Sequence, residues 1–158
     1  MGFMTPMEKL ARFDIKLPPV SGPAGLYKPA LIDGECLYFS GHLPTQMDGS
    51  IITGKLGHNT TIEEGKKAAM QVGLNILSTV CDLVGSLNRV ACVLKLTGYV
   101  NATDDFIDHP QVINGCSELF EKIWGKDFGV GVRSAFGATG LPAGATVEID
   151  GIFKLHTI

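Results

Sequence analysis

The segment over residues 61–85 constrains the fold most, because it predicts one long amphipathic helix with a marked start and end. Thr61 and Glu64 have the spacing of a capping box, in which each side chain hydrogen-bonds the other residue's backbone N–H. Apolar residues then recur at helical intervals as far as Gly85. Such a helix needs an apolar surface against its face, and the neighbouring segments are predicted to provide one.

The remaining segments predict strands and one further long helix. Asp33 and Gly34 lie between two runs of β-forming residues, which is a strong hairpin signal. Pro110 suits the first turn of a helix, and Gly125 suits the position after its end. The predicted elements are a short helix over 5–14, strands over 27–32 and 36–40, a strand over 87–101, a helix over 110–124, and strands over 130–138 and 145–156. This order predicts an α+β domain in which two helices cover one face of a mixed sheet.

Apolar residues occur on both sides of the strands predicted over 88–101 and 145–156. The sheet face away from the helices is therefore expected to be buried against another subunit. Residues 1–19 are interpreted as an N-terminal extension and residues 20–158 as a single domain. The predicted loop over 41–59 is long for a compact domain, and loops of that length are often functional.

Charge and cysteine content disfavour several classes of function. The net charge is −3, so no general electrostatic attraction to nucleic acid or to an anionic membrane is expected. No apolar run is long enough to span a bilayer, and no secretory signal is seen before residue 20. The four cysteines form no CxxC pair and lie in apolar segments, which indicates a reducing, cytoplasmic compartment without disulfides.

Arg133 and Glu148 lie in two apolar segments that are predicted to form neighbouring strands. A buried guanidinium and a buried carboxylate are costly unless they are paired or reserved for a ligand. One interpretation is a structural salt bridge between them. The other is a site in which Arg133 holds a substrate carboxylate through two parallel hydrogen bonds.

Other kinds of site have little support from spacing. Ser40 and His42 do not form a triad by adjacency, and no GxSxG turn is present. The remaining histidines are widely spaced, so no metal site is predicted. The glycines near residues 129–131 and 137–140 match neither phosphate-binding loop pattern.

Several motifs together resemble the YjgF/RidA family, the reactive intermediate deaminases, over residues 22–153. They are Tyr27 with a hairpin ending in Ser40-Gly41-His42-Leu43-Pro44, Asn75 in the capped helix, Val112-Ile113-Asn114, and Arg133 followed by Leu141-Pro142 and Val147-Glu148-Ile149. The last group is the most specific. The N-terminal extension, the 54–57 segment and the 108–111 insertion indicate a side branch of the family.

The resemblance implies a chorismate-mutase-like fold assembled as a homotrimer, with the sheets in a central barrel and ligand sites in clefts between subunits. It implies hydrolysis of amino-acid-derived enamines and imines, such as 2-aminoacrylate, to 2-keto acids and ammonia. The implied ligand is a small-molecule carboxylate, with no metal or organic cofactor. Neither a membrane nor a nucleic acid partner is expected.

By the same resemblance, Arg133 binds the substrate carboxylate and Glu148 orients the attacking water. Tyr27 lines the site, although an interface aromatic is the alternative. Asn114 lies near the pocket, although a hydrogen bond to a nearby backbone group is the alternative. Ala135 stands where the family's archetype has a cysteine. This removes any role that needs a thiol, while the backbone carbonyl of Ala135 can still accept a hydrogen bond.

Two further functions stay open. A non-catalytic ligand-binding or regulatory trimer would keep the pocket without the chemistry, and Ala135 and the altered loops permit it. An endoribonuclease or translation inhibitor is a label that many relatives carry. The acidic charge and the lack of a basic, aromatic surface disfavour strong RNA binding.

Overall fold

The computed structural model describes residues 2–158 and contains a five-stranded sheet with two long helices on one face. In chain order the elements are helix α1 (Pro6–Arg12), strands β1 (Ala30–Asp33) and β2 (Cys36–His42), helix α2 (Ile62–Val84), strand β3 (Val90–Asn101), helices α3 (His109–Trp124) and α4 (Lys126–Gly129), and strands β4 (Val132–Ala138) and β5 (Val147–Leu155). Apart from α4, which is a single short turn, these are the predicted elements. The α+β class is confirmed.

The sheet has the strand order β1-β2-β5-β3-β4. Strands β3 and β4 are parallel, and the other neighbouring pairs are antiparallel. The expectation that Arg133 and Glu148 lie on neighbouring strands is wrong, because β3 separates β4 from β5. Parallel strands need a long connection, and α3 provides it between β3 and β4.

Local signals explain where α2 and α3 begin and where α2 ends. The Thr61 side chain accepts a hydrogen bond from the Glu64 N–H, and the Glu64 carboxylate accepts one from the Thr61 N–H at 2.8 Å. Gly85 ends α2 in the left-handed conformation that glycine adopts readily. Helix α3 begins at His109, with Pro110 in its first turn.

The core lies between the sheet and the pair of helices α2 and α3. The rings of Phe39, Phe120 and Phe153 pack edge to face within it. Burial of each such side chain stabilises the fold by about 1.5–3 kcal/mol. The two helices approach closely at Gly115, where a β-carbon would lie 2.8 Å from the backbone carbonyl carbon of Lys66.

Among residues 2–158, no element of a single chain covers the opposite face of the sheet. Strand β5 alternates between buried residues, such as Ile149, and half-buried residues, such as Glu148 and Asp150. Large apolar side chains on this open face remain accessible, among them Tyr38 and Phe136. Burial of this face against another subunit stays a prediction, and exposed apolar surface is what such an interface would cover.

Residues 6–18, within the segment interpreted as an extension, run along the helices and are packed against them. Leu10 of α1 is buried in the core, and the Met7 N–H donates to Asn88 Oδ1 at 3.0 Å. Further along, the Ser78 hydroxyl of α2 donates to the Pro18 carbonyl at 2.7 Å. Among residues 2–158, no helix combines the length and the apolar character needed to cross a membrane.

Candidate functional site

The guanidinium of Arg133 is held beneath α3 by neutral acceptors. Nη1 donates to Asn114 Oδ1 at 2.7 Å and to Ser117 Oγ at 3.1 Å, and Nη2 donates to a backbone carbonyl in the first turn of α3 at 3.4 Å. The side chain borders an open cleft of about 560 Å³ at the sheet edge. Glu118, which also borders the cleft, is paired with Lys66. Within residues 2–158, Arg133 forms no ion pair with a carboxylate.

Glu148 lies on β5, on the open face of the sheet, where it is paired in register with Tyr99 of β3. Partial burial raises the pKa of Glu148 above its ordinary value, and the negative charge of Asp150 raises it further. The carboxyl group therefore exchanges its proton closer to neutral pH than an exposed glutamate does. A group of this kind suits general acid–base chemistry.

A β-bulge brings Gly41 against Glu148. The strand pairs on either side of the bulge are Phe39 with Gly151 and His42 with Ile149. Strand β2 therefore advances three residues while β5 advances two. A β-carbon on Gly41 would lie 2.9 Å from Glu148 Cδ and still closer to the carboxyl oxygen. This close approach explains why residue 41 is a glycine, since any side chain there would collide with Glu148.

Arg133 and Glu148 lie on opposite faces of the sheet in one chain. Arg133 is paired with Leu96 of β3, which is buried beneath the helices. Glu148 is paired with Tyr99, three residues further along the same strand. Because successive side chains of a strand alternate between faces, Leu96 and Tyr99 point to opposite sides, and so do their partners. The interpretation as a salt bridge is therefore wrong for this chain.

Tyr27 borders a separate pocket of about 330 Å³ beside β2. It is 48% exposed, and its hydroxyl accepts a hydrogen bond from the Ala24 N–H at 3.3 Å. Gly41 lines the same pocket and also contacts Glu148. We therefore group the predicted site residues into two half-sites, which are Asn114 with Arg133, joined by a hydrogen bond, and Tyr27 with Glu148, which both lie next to Gly41 although Glu148 does not line the Tyr27 pocket.

Ala135 lies two residues beyond Arg133 on β4 and is partly packed against the core. Its register partner is Gly98 of β3. The position belongs to the Arg133 half-site and brings no titratable group to it. Among residues 2–158, no group of three or more His, Cys, Asp or Glu side chains is arranged to hold a metal ion.

His42 lines the pocket of Tyr27, a role that the sequence did not predict. Its Nδ1 lies 2.7 Å from the Ser40 carbonyl oxygen, and its Nε2 lies 2.8 Å from Thr79 Oγ1 of α2. A carbonyl only accepts, so we assign the proton to Nδ1, and Nε2 accepts from the Thr79 hydroxyl. Burial lowers the pKa of His42, which keeps the ring neutral at pH 7. The Ser40 hydroxyl donates to the Lys28 carbonyl instead, so Ser40 and His42 form no nucleophile–base pair.

Comparisons with known proteins extend these findings. The model of the family described as "YjgF/chorismate_mutase-like, putative endoribonuclease" matches residues 8–145. "Protein TCP17" of Trypanosoma cruzi is 37% identical over 147 residues, covering 93% of this chain and 92% of that protein. A structure described as a putative endoribonuclease from Shewanella oneidensis has a TM-score of 0.90 at 28% identity, covering 96% of this chain and 100% of that chain. RidA from an Antarctic Psychrobacter species has a TM-score of 0.60 at 25% identity, covering 89% of this chain and 98% of that chain.

The mixed sheet with two helices on one face is therefore a YjgF/chorismate-mutase-like fold. The chain belongs to the YjgF/RidA family, as its motifs predicted. The names of its relatives refer both to an endoribonuclease and to RidA, so membership alone does not define the reaction. The higher TM-score to the Shewanella protein agrees with a side branch.

Proposed function

We propose that the protein hydrolyses enamine and imine intermediates, such as 2-aminoacrylate and other 2-imino acids, to 2-keto acids and ammonia. The observation that carries the proposal is the environment of Arg133, whose guanidinium is held at an open cleft by neutral hydrogen-bond partners and, among residues 2–158, by no carboxylate. A planar guanidinium binds a carboxylate through two parallel hydrogen bonds, so it suits a small 2-imino carboxylate. Glu148, with its raised pKa, is the proton-transfer group.

The proposed site needs neighbouring copies of the chain. Arg133 and Glu148 face opposite sides of one sheet, so a single chain cannot present both to one substrate. In a homotrimer, Arg133, Asn114 and Ala135 of one copy would meet Tyr27 and Glu148 of the next, giving three equivalent sites. The exposed apolar side chains of the open sheet face support such assembly.

The proposed reaction depends on positioning and on one activated water. Arg133 holds the carboxylate and so fixes the adjacent carbon of the protonated C=N group. Glu148 takes a proton from water as the water oxygen attacks that carbon, and the π electrons move to nitrogen. Glu148 then gives this proton to the nitrogen, the C–N bond breaks, and the hydroxyl loses its proton to Glu148 as the C=O bond forms; loss of that proton to solvent restores the carboxylate. One water is consumed, a 2-keto acid and ammonia leave, and the residues alone carry out the proton transfers.

Ala135 affects the range of substrates more than the reaction itself in this proposal. It offers no thiol, so no covalent intermediate forms at this position. Strand β4 is an edge strand, and its outer backbone groups are available to a ligand or to a neighbouring copy.

The four cysteines are free thiols, which supports a reducing compartment such as the cytoplasm.

The proposal is tested with freshly generated 2-aminoacrylate and longer 2-imino acids, by measuring 2-keto acid formation above the spontaneous rate. Arg133→Ala is expected to lose the acceleration while keeping the oligomeric mass of the wild type. Arg12→Ala, which removes an exposed arginine from α1, is the matched control. A folded wild-type oligomer that accelerates no imino acid would contradict the proposed reaction. A full rate in Arg133→Ala would contradict the role of Arg133.

A mixture of two inactive variants tests whether copies share a site. Co-expressed Arg133→Ala and Glu148→Gln chains assemble at random, so about one site in four pairs an intact arginine with an intact glutamate. We expect about a quarter of the wild-type activity from the mixture and almost none from either variant alone. A mixture without recovered activity would contradict a site built from two copies.

Two other functions predict results that distinguish them from the proposed reaction. Tight binding of a 2-keto acid without turnover would indicate a ligand-binding or regulatory trimer, which Ala135 and the altered loops permit. RNA cleavage that survives removal of contaminating nuclease would indicate the endoribonuclease named for the Shewanella relative. The net charge of −3 disfavours this last outcome.

A further inference from the structure

Tyr99 and Asp150 form a hydrogen-bonded pair beside Glu148 on the open sheet face. Asp150 follows Glu148 by two residues on β5, so both carboxyl groups project from the same side of the strand. Tyr99 is the register partner of Glu148, and its hydroxyl donates to Asp150 Oδ2 at 2.9 Å. The tyrosine ring packs edge to face against Phe136 of β4, with 5.0 Å between ring centroids. The hydroxyl is therefore held in place by contacts on two other strands.

The negative charge of Asp150 is the charged group that faces Glu148 within the chain. Tyr99 is the titratable group that faces it from β3, and the bulge of β2 brings a glycine against it. Further along the same face, Lys95 of β3 and Tyr38 of β2 are both paired in register with Ile152, two residues beyond Asp150. His42, also on β2, has its ring hydrogen-bonded to α2 on the other side of the sheet. Lys154, further along β5, is paired with a glutamate of the first hairpin. Among residues 2–158, no cation is ion-paired with either Glu148 or Asp150.

We propose that Tyr99 and Asp150 are positioning residues for Glu148, in which the tyrosine hydroxyl fixes the aspartate beside the glutamate and the charge of the aspartate sets the pH at which Glu148 takes up a proton. This inference rests on the proposed function, since it treats Glu148 as the proton-transfer group. It goes beyond that function because it assigns the timing of proton uptake to two residues that do not touch the substrate.

Three physical effects act in the same direction. A like charge nearby disfavours the ionised form of Glu148. The hydrogen bond from Tyr99 holds the Asp150 carboxylate in place, so its charge stays beside Glu148. Burial and the two carboxylates raise the pKa of Tyr99, so its hydroxyl stays protonated as the donor.

The proton uptake of Glu148 can be measured directly by the carbon-13 shift of its carboxyl group in the full-length oligomer at low salt. Glu148→Gln assigns the signal. In Asp150→Asn the amide oxygen still accepts from Tyr99 and only the charge is removed. We expect the ratio of ionised to protonated Glu148 at a fixed pH to rise at least about threefold, as two charges about 7 Å apart give even at the dielectric constant of water.

Tyr99→Phe and Asp33→Asn complete the series. Tyr99→Phe is expected to move the midpoint of the Glu148 titration in the same direction by less, because Asp150 keeps its charge but is no longer held beside Glu148. If Asp150→Asn does not fold, the shift in Tyr99→Phe tests the inference by itself. Asp33→Asn removes one negative charge at the distant hairpin turn and is expected to leave the Glu148 midpoint unchanged. An unmoved midpoint in the Asp150 and Tyr99 variants, or an equal shift in the Asp33 variant, would overturn the inference.

The pH profile of kcat/KM separates this inference from the proposed reaction. In an active wild type, the fall in kcat/KM on the acid side is expected to move to lower pH in Asp150→Asn, together with the carbon-13 midpoint. Wild type without turnover but with a midpoint that moves in Asp150→Asn would support this inference and contradict the proposed reaction. An active wild type whose Glu148 midpoint is unchanged in Asp150→Asn would contradict this inference and leave the proposed reaction standing. Tyr99 and Asp150 would then be a structural pair only.

Discussion

Substitution of Gly41 by alanine is expected to displace the Glu148 carboxyl group without unfolding the protein. The new β-carbon would lie 2.9 Å from Cδ and 3.1 Å from Cγ of Glu148. Carbon atoms in contact are about 3.5–4.0 Å apart, so the glutamate must move by about 1 Å or turn to another rotamer. Gly41 is not in the left-handed conformation, so alanine adds no backbone strain there.

The expected magnitude follows from this displacement. Turning Glu148 away from its rotamer costs about 0.5–1.5 kcal/mol, which lowers the melting temperature by only a few degrees. Moving a reacting group by about 1 Å lowers the rate about a hundredfold, which corresponds to about 2.7 kcal/mol of transition-state stabilisation. Gly41→Ala should therefore lose far more activity than stability.

The assay is kcat/KM on a 2-imino acid, measured beside a thermal melt. Gly140→Ala is the matched control, because a β-carbon there meets no atom within 4 Å. In a Glu148→Gln background, Gly41→Ala should cause little further loss of kcat/KM, since both changes act through the side chain of residue 148. Wild-type kcat/KM in Gly41→Ala, or an undiminished further loss in the Glu148→Gln background, would refute the reasoning.

Three further predictions follow from the two half-sites. Asn114→Asp places a carboxylate on Arg133 Nη1, which now lies 2.7 Å from the Asn114 oxygen, so 2-keto acid binding should weaken at least about tenfold by calorimetry; an unchanged Kd would contradict this. Because the pKa of Glu148 is raised, the folded state holds more protons than the unfolded state between the ordinary and the raised value. The free energy of unfolding therefore falls as pH rises through that window, and Glu148→Gln should remove this fall in urea titrations; equal slopes in both proteins would count against it. His42→Ala leaves the buried Thr79 hydroxyl without its partner and opens a cavity, so the free energy of unfolding should drop by about 2–3 kcal/mol. A drop below about 1 kcal/mol in urea titrations would show that the ring is not a structural support.

Elements with local signals could be predicted from the sequence. The capping box joins Thr61 to Glu64, and the first hairpin turns at Asp33 and Gly34, so in both cases the deciding residues are close neighbours along the chain. Each element lies where its signal placed it. The half-site at Arg133 could be found in part, because Asn114 was indicated by the family resemblance. Ser117 was missed, although its position one helical turn after Asn114 was the available signal.

Strand order could not be predicted in the same way, because it depends on pairing between distant segments. Strand β3 pairs with β4 on one edge and with β5 on the other. The two strands that follow one another near the C-terminus are therefore separated in the sheet. The face on which Arg133 or Glu148 lies then follows from register, which a shift of one residue would reverse. The position of the His42 ring likewise depends on its hydrogen bond to Thr79, which lies 37 residues away along the chain.

The separation of the two half-sites has a chemical consequence for the proposed reaction. If Arg133 and Glu148 were neighbours in one chain, they would pair, the guanidinium would be occupied, and the pKa of Glu148 would fall. Instead, neutral groups hold Arg133, and Glu148 lies beside another carboxylate. In the proposed trimer, each half-site would thus keep its charge available until a second copy of the chain and a substrate carboxylate are in place. Assembly would then be a condition of activity, and the mixture of Arg133→Ala and Glu148→Gln chains measures whether it is.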